Sequence, residues 1–224
     1  MPENCSNPKP GMLPEPSDYC AALDKAWAEL EKRNPREVAA FAEVELTAPK
    51  SSTGASGPIY LVPLLGETML VDGSDRGVRQ PDGSDLISYL SVLVLHYLLG
   101  ARPGRVSDEW VTFRELEAGP FYLPAFRSRA TDRLEPVLGA RPKDLLDAAR
   151  PFGGASMDFG DAAVRIAVMP KAHIGIAVWA GDDELPSSVT MLFGRTAAEI
   201  FPTEDLAVAG GLVAGRLIKN LQQI

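Results

Sequence analysis

Two cysteines and two histidines are the chain's whole supply of the side chains that most often hold zinc or a cluster. Cys5 and Cys20 form neither a CxxC pair nor a zinc spacing, and two cysteines build no disulfide framework, so reduced thiols are expected. Basic charge is also short. Lysine and arginine total 22 against 30 aspartates and glutamates, a net charge of −8 at pH 7. Such a chain lacks the basic footprint that grips nucleic acid or an anionic membrane surface. No segment offers the about eighteen uninterrupted apolar residues that span a bilayer. The longest candidate, LISYLSVLVLHYLLG, is shorter and carries serines and a histidine. There is no Walker sequence and no nucleophile elbow, and GGLVAG at 210–215 falls inside a helical pattern where close packing accounts for it. These absences point to an acidic cytoplasmic protein with neither nucleic acid nor membrane as partner.

What is present is apolar enough to fold. Hydrophobic residues make up 46% of 224, which allows a sizeable core in one globular unit. MPENCSNPKPGMLPEP has prolines at 2, 8, 10, 14 and 16 and no apolar signal segment. A disordered Pro-rich leader is therefore expected over 1–16, and a single domain over 17–224.

Ser17 is placed to cap a helix through DYCAALDKAWAELEKR, and Pro35 opens a second one, PREVAAFAEV. KSSTGASG reads as a flexible loop. IYLVPLL and TMLVD read as a hairpin whose Pro63 confines the first strand to an edge or a bulge. Ser84 is placed to cap a helix to Leu99 that is apolar nearly all round, as a central core helix must be. A short strand in EWVTFREL, a helix interrupted near Pro124 and a further short helix in PKDLLDAARPFGG follow. DAAVRIAVMP, IGIAVWAG and SSVTMLFG, joined by short connections, predict an antiparallel meander, and Thr203 is placed to cap a last helix. Strands and helices are grouped rather than alternating. The expectation is an α+β fold, with an antiparallel sheet (C-terminal meander plus hairpin) packed against the central apolar helix and the C-terminal helix.

LHYLL at 95–99, WVTFRELEAGPFYLPAF at 110–126, GGASMDFGDAAV at 153–164, VWAGDDELPSSVTMLF at 178–193 and PTEDLA at 202–207 resemble domain of unknown function family 3786. That family occurs largely in anaerobic bacteria and archaea, and the resemblance runs from about residue 20 onward. Some members look as if they carry an N-terminal four-cysteine iron-sulfur module, which would imply low-potential or one-carbon chemistry. Cys5 and Cys20 cannot hold such a cluster, so this chain departs from that pattern.

His96 is a ligand candidate, as an axial ligand to a haem or corrinoid, against the plainer role of a core histidine bonded to backbone or carboxylate. His173 reads as an exposed loop residue in the PKAH turn, and no metal site is read from the two histidines. Arg114, Arg129 and Arg133 are candidates for an anion pocket lined by Trp110, Phe121 and Tyr122, because a guanidinium fork grips carboxylate or phosphate. Surface ion pairing with neighbouring acids is the competing account. Asp182, Asp183, Glu184 and Glu204 are acidic candidates that turn and helix-dipole chemistry also explains.

Three functions follow as expectations. The first is a small-ligand or cofactor-binding accessory protein of anaerobic metabolism, holding a small anionic ligand or a tetrapyrrole. The second is a hydrolase or transferase using carboxylates of GDDE and PTED. The third is an interaction subunit with a protein partner. No particular cofactor is read from the residues.

Overall fold

The computed structural model describes residues 16–47 and 57–224. The expected leader, up to residue 15, and the KSSTGASG loop, at residues 50–56, lie outside the described residues. Helices and antiparallel sheets make the chain an α+β protein, and its strands divide between two sheets. The contacts separate two compact units. One takes in the chain to Pro63 with Glu67–Gly104, the other Leu64–Gly66 with Arg105–Ile224. Among the described residues no helix is long and apolar enough to cross a membrane.

In the first unit, α1 (Pro16–Leu30) and α2 (Pro35–Ala42) precede the strands. Asn34 caps α2 by accepting from the Arg36 N–H, and Pro35 stands in the first turn, where its missing N–H costs nothing. Cys20, in α1, is disulfide-bonded, which corrects the expectation of reduced thiols. The four-stranded sheet runs β1 (Glu45–Thr47), β2 (Ile59–Leu64), β3 (Glu67–Asp72), β4 (Gly77–Arg79) in order. Leu65 and Gly66, both at positive φ, make the two-residue turn of the expected hairpin. In a two-residue hairpin the flanking residues pair by hydrogen bonds, so with Leu64 and Glu67 flanking this one the nitrogen of Pro63 is expected to face away from β3. On that other side β1 stops opposite Leu61. Proline thus sits where no ladder bond is missing.

The apolar helix is α3 (Ser88–Gly100), packed against α1 and α2, with Leu93, Val94 and Leu95 fully buried. Ser84 does not cap it. Its hydroxyl and amide both turn to the Asp82 carboxylate, and the helix starts after Ile87. Tyr97, fully buried on α3, donates its hydroxyl to the Ala42 carbonyl at 2.6 Å.

The second unit holds a five-stranded antiparallel sheet in the order β5 (Trp110–Thr112), β9 (Ser188–Gly194), β8 (Ala172–Trp179), β7 (Ala162–Met169), β6 (Ala155–Ser156). The expected meander is its centre. Side chains alternate, so Val164 and Ile166 of β7, Ile174, Ile176 and Val178 of β8, and Val189, Met191 and Phe193 of β9 share one buried face. A 3-10 turn, Phe113–Glu115, leads into α4 (Gly119–Arg129). Then come α5 (Thr131–Leu138), α6 (Asp144–Ala149), α7 (Arg195–Ile200) and α8 (Thr203–Leu221). The chain breaks at Ala130, not at Pro124, which is carried inside α4. Phe113 stacks on Phe126 at 4.0 Å, with Phe193 tilted against both. A Cβ on Gly210 of α8 would meet Met191 Sδ and Phe126 at 2.8 Å, so this glycine does serve close helix packing. Thr203 is not a cap either: its hydroxyl donates to the Glu117 carbonyl at 2.6 Å.

Removing the Tyr97 hydroxyl leaves the buried Ala42 carbonyl without that donor. Tyr97→Phe is therefore expected to lower stability by about 1–3 kcal/mol in urea unfolding. An unchanged unfolding midpoint would show that this hydrogen bond contributes nothing net.

Candidate functional site

The same alternation that buries Ile174, Ile176 and Val178 turns His173, Gly175, Ala177 and Trp179 to the opposite face of the sheet. This face is built from small residues under large ones. Trp110, on β5 opposite Gly194, lays its indole across the sheet, with Cζ3 3.3 Å from where a Cβ on Gly175 would stand. Met157 Sδ and Leu192 Cβ approach the same point at 3.5 and 3.4 Å. Two strands away from β5, a Cβ at Gly175 would press on the ring, which would have to give by a few tenths of an ångström.

Trp179 closes the other end of the face, with Phe159 edge-on at 5.7 Å. Gly160, at φ +60°, allows that contact: a Cβ there would stand 2.8 Å from the Val178 carbonyl and 3.3 Å from the indole. The Asp161 carboxylate accepts the Ala180 N–H at 2.8 Å and pins the segment down. Of the three tryptophans, Trp27 is buried in the first unit, while Trp110 and Trp179 are half-buried on this face. Phe159 remains 47% exposed, so the aromatic surface is open to solvent.

Two cationic-type side chains share the face. Arg165 of β7 is directly opposite Gly175 and exposed, and its guanidinium has no ion pair or hydrogen bond among the described residues. His173 pairs with Ala167 and is half-buried on a strand, which corrects the expectation of an exposed turn residue. Burial holds its imidazole below the ordinary value of 6.5, and the nearby Arg165 charge adds to the effect. Alternation in DAAVRIAVMP and IGIAVWAG contained this signal, since an arginine and a tryptophan on the non-aliphatic phase of adjacent strands have to share a face.

The residues singled out in the sequence are scattered by comparison. His96 lies half-buried on α3 in the first unit, already engaged by a neighbouring group. Trp110 belongs to the sheet face described above. Arg114 is exposed in the 3-10 turn, and Arg129 ends α4. Arg133 donates to the Arg129 carbonyl at 3.3 Å, while Arg127 pairs with Asp132 at 3.1 Å. Among the described residues no hydrogen bond or ion pair joins Arg114 to Arg129 or Arg133. Tyr122 meets Phe121 edge-on at 5.2 Å on the exposed side of α4.

Asp182 accepts the Leu185 and Glu184 amides at 2.7 and 2.9 Å, and those hydrogen bonds hold its carboxyl below the ordinary range. Asp183 and Glu184 are exposed beside it, and Glu204 is exposed in the first turn of α8. Among the described residues no group of three His, Cys, Asp or Glu could hold a metal ion.

Helices and two antiparallel sheets, one of them with an exposed aromatic side chain on its outer face, define an α+β protein. More particularly, the chain belongs to the family described as Domain of unknown function (DUF3786), whose model matches residues 34–216 and so includes the entire aromatic face. No curated protein and no solved structure matches it.

His173 also sets a pH dependence. An unfolded imidazole takes up its proton as the pH falls through 6.5, whereas the folded one resists until lower pH. Acid therefore favours unfolding over that window. His173→Asn is expected to flatten the fall in melting temperature between pH 7 and the acid side of the transition, as read by calorimetry. An unchanged slope would show that His173 titrates equally in both states.

Proposed function

We propose that this chain is a small-ligand-binding protein whose ligand is planar and stacks on the outer face of the five-stranded sheet. The observation that carries the reading is Trp110 laid over Gly175, with the open Trp179–Phe159 pair on the same face. Rigid half-exposed indoles present large apolar surface at little entropic cost, the usual basis for holding flat ligands. The family resemblance adds the setting, an accessory role in anaerobic metabolism, with a tetrapyrrole or another small anionic ring compound as the ligand class.

The hydrolase or transferase reading has weaker support, because Asp182 is committed to turn amides and Glu204 to the first turn of a helix. A protein-interaction role is favoured by one observation, Phe121 standing 81% exposed on α4.

The test is a titration of the purified chain with protoporphyrin IX and, separately, with flavin mononucleotide, read by tryptophan fluorescence and by ligand absorption. At least one is expected to quench the indoles saturably, and Trp110→Ala to weaken that binding by about tenfold, as loss of one stacking partner does. No saturable quenching by either compound would overturn the reading.

A further inference from the structure

We infer that the ligand of this sheet face is a planar anion, its ring on Trp110 and its carboxylate or phosphate on Arg165. The inference rests on the binding reading above and adds the residue that holds the anionic group and where on the face it sits.

Arg165 stands on the central part of a sheet, not at a rim, and its partner across the β7–β8 ladder is Gly175, which has no side chain to cover it. The Trp110 ring reaches that same glycine from the other side. Arg165 and Trp110 thus approach Gly175 from opposite sides of β8 on one face of the sheet.

The cation is uncompensated in a chain that has eight more acidic than basic residues, and no carboxylate among the described residues pairs with it. Arg76, Arg79, Arg127, Arg141, Arg150 and Arg195 all have an acidic partner. Next to Arg165, the half-buried His173 is held toward its neutral form, which keeps a second positive charge from crowding the guanidinium at neutral pH. A guanidinium fork offers two parallel donors to a carboxylate or phosphate, so an anion bound there is held by charge and by direction together.

Riboflavin and flavin mononucleotide carry the same ring without and with a phosphate, and are the probes for the test. Equilibrium dialysis of the full chain against each is run for the unmodified protein and for Arg165→Gln, with circular dichroism confirming the fold. The expected result is a preference for the mononucleotide of at least about fivefold. That preference weakens with added salt and is abolished by Arg165→Gln, while riboflavin binding is retained. Equal binding of the two flavins by the unmodified protein, or a preference that survives Arg165→Gln, overturns the anion assignment and leaves the stacking face in place. Failure of both flavins and of protoporphyrin IX to bind overturns the stacking face as well.

Discussion

Strand alternation in β8 is the constraint on which the second unit depends. Ile174, Ile176 and Val178 must all face the helices, and the period of two then leaves no choice about His173, Gly175, Ala177 and Trp179. A slip of one residue would bury the imidazole and the indole and expose three aliphatic chains, so register is strongly fixed. Its neighbours follow the same rule: β7 contributes Arg165 opposite Gly175, and β9 contributes Leu192. The candidate site is thus a by-product of core formation on the other face, sharpened by glycine and alanine wherever a large ring lies down.

Much of the fold was legible because it rests on local signals. Asn34 with Pro35 and the three aliphatic runs of the meander carry their geometry in adjacent residues, while the hairpin turn falls at Leu65 and Gly66, one residue before the Gly66–Glu67 break between IYLVPLL and TMLVD. The misreadings share a cause. Ser84 and Thr203 are good cap residues by type, yet each hydroxyl found a different acceptor, the Asp82 carboxylate and the Glu117 carbonyl. Pro124 reads as a break in the sequence, but in α4 it lies on the exposed side, and the real break is the backbone of Ala130. Which acceptor a hydroxyl meets is decided by distant chain and is invisible in a short window.

The site was less legible than the fold, for a physical reason. Arginines close in sequence drew attention to Arg114, Arg129 and Arg133, whereas the residues that share a surface come from four strands, as Trp110, Leu192, Gly175 and Arg165. Sheets bring together residues far apart in the chain, so proximity in sequence is a poor guide to a site on one. Carboxylates misled in the opposite direction: GDDE is a dense acidic run whose leading member, Asp182, organises a turn.

The short first strand of the chain has a consequence for solubility. β1 covers β2 only from Ile59 to Leu61, which leaves the remainder of a strongly apolar strand with one hydrogen-bonding edge uncovered by it. An open apolar edge is a template for aggregation by strand addition. On that edge the Leu65 N–H already donates to the Val168 carbonyl at 2.9 Å, and Pro63, exposed, has no N–H to offer an incoming chain. The proline that looked like an obstacle to a strand in IYLVPLL serves as its guard against uncontrolled pairing.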